Sequence, residues 1–427
     1  MLFFLYNLIF PIAFLFFIPG IIYKHINRGG RKKDFSERFA IFSAEKKALL
    51  KNIKGKVVWI HSVSVGETLL AVDFINKWKK LNNNISFVIS TTTTTGQEIA
   101  HNKLADKAVI IFCPVDYFLF VRKTLNLIKP KALIIFETEI WPSLICEAYK
   151  QNIKVIQVNA RISDHSFKGY RRFSCFINPF LSKVSLSCAQ TDQDVERLNI
   201  ICNDLNTVKT GTMKFDQALP EKFKDVDLEK VFGKEGYIFI LGASTHGGEE
   251  RLMIRIFKEL RKEYENLRLI FVPRHAERAP EVVSVLKENN IVYYRRSNDE
   301  CSGENVECLL ADTTGEMLGF MNNVDIVVMG KCFAGNDGGH NIIEPALLGK
   351  PIITGKELSN FRFVLKMMVE NNAVLTADDD TLITVLKELL DDPEKRVKLG
   401  ETAKNTVQKH VGATEKTISE IEKIVKL

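Results

Sequence analysis

The sequence predicts an α/β protein built from two parallel sheets, each wrapped by helices. Three observations carry that expectation. Strand-like runs of β-branched and aromatic residues alternate with helical stretches from about residue 40 to 215. A polar stretch around Pro220–Glu235 then breaks the pattern, and a second alternating set begins at residue 237. Such alternation places strands side by side in parallel with helices on their faces. At 427 residues the chain exceeds one ordinary core, in keeping with two domains of comparable size.

Taken in order, the first 23 residues, MLFFLYNLIFPIAFLFFIPGIIY, carry no charged side chain. At about 1.5 Å per residue a helix of that length covers roughly the ~30 Å hydrocarbon core of a bilayer. Lys24, Arg28, Arg31, Lys32, Lys33 and Arg38 follow it, against only Asp34 and Glu37. A cleaved signal peptide has the reverse order, and the positive-inside rule puts the body of the protein in the cytoplasm. The expectation is an N-terminal membrane-anchor helix over residues 1–23; Pro11 and Gly20 also suit a bent, in-plane segment, and a buried core helix is the plain alternative.

An N-terminal Rossmann-like domain is expected over residues 24–216, with strands at 57–60, 86–90, 108–112, 132–136, 154–158 and 185–189. A linker, 217–236, is rich in Glu, Asp and Lys. The second Rossmann-like domain, 237–410, has strands at 237–241, 268–272, 291–294, 325–329 and 351–353, and a C-terminal helix over 411–427 closes the chain. Two such halves describe the glycosyltransferase-B architecture, with its active site in the cleft that the domains face, and other two-domain α/β proteins besides. The eight cysteines include no CxxC pair, which predicts reduced, buried thiols in place of a disulfide or zinc framework. A net charge of +7 suits an anionic partner without choosing among nucleotide, nucleic acid and acidic lipid.

The motifs sit at the ends of strands. In His61-Ser62-Val63-Ser64-Val65-Gly66-Glu67, a strand gives way to a helix expected over Thr68–Leu81, and a carboxylate there faces a ligand in an open α/β sheet. The plain reading is an acidic residue favouring a helix N-terminus. Thr91–Thr95 with Gly96 offers hydroxyls for phosphate or sugar, or a simple N-cap. Glu137 and Glu139 follow strand 132–136, where carboxylates bind hydroxyls, position a base or merely decorate a loop. Asn159–Asp164 is followed by Lys168, Arg171 and Arg172, a cationic patch or a solvated helix face. Lys214, between Gly211 and Asp216, is placed to offset charge on a leaving phosphate. In the second half, Gly242–His246, Val272–His275, Thr314–Met317 and Gly338–Glu344 put small residues, Arg and His at strand-to-helix turns, a reasonable phosphate cradle. No GxxxxGK[ST] occurs, and His246, His275 and His340 lack metal-ligand spacing, so no P-loop and no metal is expected.

Together these motifs, from the apolar N-terminus through Gly339–Glu344, closely resemble the 3-deoxy-D-manno-oct-2-ulosonic acid (Kdo) transferases of lipopolysaccharide synthesis. The resemblance implies a glycosyltransferase-B fold anchored to the cytoplasmic face of the cell inner membrane. It implies transfer of Kdo from CMP-Kdo to a lipid A precursor, with inversion, no cofactor and no nucleic-acid partner. The family's general base falls on Glu67, and its transition-state stabilising residues on Glu137 and Lys214. Its donor-binding residues fall on Arg274, His275, Gly315, Glu316, Met317, Asn341, Ile342, Ile343 and Glu344. Thr94 or Thr95 stands where the family commonly has proline, and Ser143 where asparagine is usual after Trp-Pro. Competing readings are a sugar-nucleotide 2-epimerase, an N-acetylglucosaminyl transferase, or a membrane-tethered binding protein without turnover.

Overall fold

The computed structural model describes residues 2–27, 35–216, 223–233, 236–358 and 361–425. The chain forms two compact units, Met1–Gln217 with Val411–Leu427, and Ala218–His410. Among the described residues the first unit carries seven strands: β1 (Lys56–Ser62), β2 (Ile85–Thr91), β3 (Ala108–Phe112), β4 (Ala132–Phe136), β5 (Lys154–Ala160), β6 (Leu186–Ala189) and β7 (Thr207–Lys209). All are parallel, in the order β3-β2-β1-β4-β5-β6-β7. Trp59 at the centre of β1 stands in register with Val88 and Leu133. Helices cover both faces of the sheet, which is why its central strands read as unbroken apolar runs.

The second unit holds β8 (Ile238–Thr245), β9 (Leu267–Pro273), β10 (Tyr293–Arg295), β11 (Glu300–Cys301), β12 (Cys308–Leu310), β13 (Ile326–Met329), β14 (Ile352–Gly355) and β15 (Leu375–Ala377). Their order is β11-β10-β12-β9-β8-β13-β14-β15, and β11 pairs antiparallel at the edge. Every strand expected from the sequence is present. The short strands β7, β11, β12 and β15 were not expected, because runs of two or three residues carry no readable alternation.

The N-terminal segment forms a helix, α1 (Leu2–Asn27). Among the described residues no helix is long and apolar enough to cross a membrane. The expected membrane anchor over residues 1–23 is corrected: α1 docks on the first unit. The Tyr6 hydroxyl donates to Asp116 Oδ2 at 2.8 Å, and Asn7 Oδ1 accepts from the Phe118 N–H at 3.1 Å and from Ser143 Oγ at 3.2 Å. These polar groups inside an apolar run find protein partners, and buried polar groups left without partners are costly. Phe4, Leu8, Ile12, Leu15 and Phe16 remain exposed. Arg28, Arg31, Lys32 and Lys33 lie outside the described residues, as do Glu221 and Lys222 of the expected linker.

The C-terminal helix expected over 411–427 is seen as Ala413–Ile424. It belongs to the first unit and packs Ile418 and Ile421 into the core beside Phe74 and Trp78. Trp78 Nε1 donates to Glu422 at 2.9 Å, and Asp216 accepts the backbone N–H groups of Gly412 and Thr414 at the start of the helix.

Candidate active site

In the first sheet β1 and β4 are neighbours, but the chain leaves β1 towards β2 and leaves β4 towards β5. At such a switch point the loops part, and a crevice opens outside the carboxyl ends of the strands. Glu67 follows β1 and Glu137 follows β4 directly, so the topology delivers both carboxylates to this crevice.

The helix after β1, α2, spans Val65–Leu81 and so begins three residues earlier than expected. Ser64 caps it, accepting the Glu67 N–H at 3.3 Å. The Glu67 carboxylate turns back and takes the Val63 N–H at 2.7 Å. The residue is only 6% exposed. Burial pushes its carboxyl from the ordinary 4.5 up to about 7; the bonds from Val63 and Ser64 pull it down, and Glu137 and Glu139 push it further up. Burial, with help from Glu137, also raises Glu139.

Glu137 has left-handed backbone, φ 57°. That conformation costs a non-glycine residue about 1–3 kcal/mol and is held only where surrounding structure imposes it. Here its N–H is bonded to Val158 O at 2.8 Å. Thr138 braces the neighbouring strand end, donating to Arg161 O at 2.6 Å and accepting the Arg161 N–H at 2.9 Å. Asn159 is left-handed as well, φ 56°, and its Oδ1 takes the Met213 N–H at 3.1 Å. That bond positions the short turn Met213–Asp216 that carries Lys214. Burial lowers the Lys214 pKa and the charge of Glu137 raises it, so the two side chains are electrostatic neighbours. The three residues expected in this half, Glu67, Glu137 and Lys214, therefore form one cluster. Asn159 is the positioning residue whose role the sequence left open; an Asn at a strand end is the signal for a left-handed turn.

Other motif residues support this cluster. His61 is fully buried, its Nδ1 lies 3.0 Å from Ser90 Oγ, and burial lowers its pKa to about 4, so it stays neutral. Its ring meets the edge of Trp141 at 5.2 Å. In the Thr-rich turn, Thr93 caps the following helix by accepting the Gly96 N–H at 3.1 Å, and Thr91 donates to Gln97. Two of these hydroxyls thus hold the turn itself together, in line with the N-cap reading.

The second sheet repeats the logic, with β8 and β13 flanking its switch point. Ser244, at the end of β8, is left-handed with φ 57°. Glu249 is buried and accepts four backbone N–H groups, those of His246, Lys331, Cys332 and Phe333, at 2.7–3.0 Å. Glu250 takes Thr245 Oγ1 at 2.7 Å and two bonds from Arg278 at 2.8 and 3.1 Å. Both glutamates are scaffold. They hold His246 and Lys331 where His246 Nε2 lies 3.0 Å from His340 Nε2, and the ring of His275 stands 6.2 Å from that of His246. Burial lowers both members of the close pair, His340 to about 4.

Of the expected donor residues, Arg274 lies near His340 and Glu344 and influences the charge of both. Asn341 donates to Glu344 at 3.2 Å and accepts the Ile343 N–H at 3.0 Å, opening the turn Ile343–Leu347. Gly315 is left-handed, φ +83°, and a Cβ there would meet open space, so the backbone requires glycine and lies open to a ligand. Glu316 is paired with Arg296 through two bonds at 2.8 and 2.9 Å, which hold its pKa at about 2 and fix the start of the helix Met317–Asn322. Arg296 escaped the sequence reading because Arg295-Arg296 looks like an ordinary solvated charge pair.

Residues 33–217 match the family model described as 3-deoxy-D-manno-octulosonic-acid transferase (kdotransferase). The 3-deoxy-D-manno-octulosonic acid transferase of Haemophilus influenzae is 30% identical over 367 residues, which cover 84% of this chain and 85% of that protein. Among solved structures, a glycosyltransferase from Rickettsia africae aligns with a TM-score of 0.56 at 14% identity, over 88% of this chain and 100% of that one. MurG of Acinetobacter baumannii aligns with a TM-score of 0.53 at 11% identity, over 86% and 99%. These two likenesses concern the fold alone and agree with two Rossmann-like units of the glycosyltransferase-B type.

Proposed function

The chain belongs to the 3-deoxy-D-manno-octulosonic acid (Kdo) transferase family, and on that premise we propose that it transfers Kdo from CMP-Kdo to a lipid A precursor with inversion. Glu67 is the general base. Its carboxylate takes the proton of the acceptor hydroxyl as that oxygen bonds to the anomeric carbon of Kdo. The bond from that carbon to the CMP phosphate breaks, and CMP leaves with the electron pair. Glu137 and Lys214 stabilise the transition state, Lys214 as the cation of the cluster and Glu137 as its neighbour. Arg274, His275, Gly315, Glu316, Met317 and Asn341–Glu344 bind the donor in the second unit.

The observation that carries this reading is the Glu67 carboxyl at a sheet switch point, with a pKa raised to about 7. A base of that strength is half ionised near neutral pH, where proton acceptance is most effective. Glu67 accepts a backbone bond at one oxygen from Val63, and among the described residues the other accepts no backbone N–H. The reaction is assigned to the cytoplasmic face of the inner membrane, and the exposed Phe4, Leu8, Ile12, Leu15 and Phe16 of α1 support an apolar contact with that surface. The test incubates the full chain with labelled CMP-Kdo and a lipid A precursor and identifies the product by mass spectrometry. CMP binding without glycosyl transfer would instead make the protein a binding module.

A further inference from the structure

Beneath α1 lies a partly enclosed cavity of about 120 Å³, within the first unit and outside the carboxylate cluster. Its walls are mostly apolar: Phe10 and Phe14 from α1, Phe35 and Phe39 from the following turn, and Pro114 and Trp141 from the loops after β3 and β4, with Asp116 beside them. The bonds of Tyr6 and Asn7 pin α1 over it, so the space is bounded by a fixed wall.

Arg38 also lines the cavity and is only 9% exposed. Its Nη2 donates to Thr92 O at 2.6 Å, and its guanidinium lies 4.4 Å from the centre of the Phe112 ring. Its Nε has no hydrogen-bond partner among the described residues, and neither does Thr92 Oγ1 on the same wall. The adjacent Glu37 carboxylate is engaged by Lys46 at 2.7 Å and by the Phe112 N–H at 2.8 Å. A buried guanidinium proton without an acceptor is expensive, while most of the wall around it is apolar. A ligand that matches both features combines a hydrocarbon part with an oxygen acceptor. Trp141 is shared: it walls the cavity and meets the ring of His61 at 5.2 Å.

We propose that this cavity is an acyl-chain subsite of the acceptor, taking a hydrocarbon segment against the phenylalanines while Arg38 Nε and Thr92 Oγ1 bond oxygen at the chain's attachment. This rests on the reading of the protein as a Kdo transferase with a lipid acceptor. A cavity of about 120 Å³ approaches one known to hold benzene, so it accommodates roughly four to six carbons.

The experiment measures KM for a water-soluble acceptor disaccharide bearing acyl chains of two to ten carbons, each below its micelle concentration. The expected result is a fall in KM of about fourfold per methylene, levelling off near six carbons. Val115→Phe, which fills the cavity from its wall, should flatten that dependence while the KM for CMP-Kdo stays the same. A KM independent of chain length overturns the proposal. So does a dependence that Val115→Phe leaves intact, because the chain then binds elsewhere, such as the outer face of α1. The wild-type series needs no variant, so misfolding of Val115→Phe does not shield the idea. Absence of Kdo transfer to every acceptor, acylated or not, would count against the activity itself and is distinguishable from a flat series.

Discussion

Replacing Glu67 by Gln keeps its size and its bond from Val63 N–H, and removes both proton acceptance and charge. Turnover should fall by about 100-fold or more, while CMP affinity stays within a few-fold because the nucleotide is assigned to the other unit. Stability should move in the opposite direction. The carboxyl is raised from 4.5 to about 7 by burial, so ionising it in the folded protein costs roughly 3 kcal/mol at about 1.4 kcal/mol per pH unit. For a raised carboxyl that cost is absent below its unfolded pKa of about 4.5, grows as pH rises to about 7, and is complete above. Gln has no such cost. Between about pH 5.5 and 8.5 the variant should therefore gain roughly 2 kcal/mol on the wild type. Thermal melts of both full-length proteins across that range measure the gain, and kcat/KM of the wild type should show an acidic limb near pH 7. Parallel melting curves would refute the raised pKa. Near-normal turnover of Glu67→Gln would refute the mechanism and turn attention to Glu139.

Arg274→Ala should weaken CMP binding by about tenfold or more, the loss of a charge-assisted phosphate contact, before it lowers turnover. In the same calorimetry a chelator should leave wild-type affinity unchanged, because Arg274 and Lys331 offer a phosphate its counter-charge directly; strict metal dependence would contradict this. Deleting residues 2–27 should lower the melting temperature, since Asp116 loses the Tyr6 hydroxyl and the cavity loses Phe10 and Phe14; an unchanged melt would mean that α1 is only loosely attached. Asp216→Ala should cost about 2–4 kcal/mol, because two backbone N–H groups lose a charged acceptor, and limited proteolysis should then cut near Val411; resistance there would count against the docking of the C-terminal helix.

Much of this architecture was legible because parallel strands covered on both faces leave continuous apolar runs, as in Ala132–Phe136, whose bounds match the observed strand. The residue that follows such a run lies at the sheet's carboxyl edge whatever the rest of the chain does, and Glu67 and Glu137 were readable for that reason. What escaped depends on contacts distant in sequence. Nothing local to residues 411–427 says that Ile418 packs against the helix of Phe74, and the apolar run of α1 looks the same whether its Tyr6 and Asn7 meet lipid headgroups or Asp116 and Ser143.

The sharpest case is the pair of buried glutamates Glu67 and Glu249. Both lie in the first turn of a helix that follows a strand, and burial raises both carboxyls. Without the family resemblance, their local sequence offers no way to rank them. Glu249 receives four backbone N–H groups from two loops, so both its oxygens are occupied and its work is to hold those loops together. Glu67 receives one, on a single oxygen, beside two further carboxylates and a lysine that respond to one another's charge. An acceptor hydroxyl can be served only by a lone pair that the fold has left unused. The number of backbone donors already bound, more than burial or raised pKa, separates the proposed base from the brace.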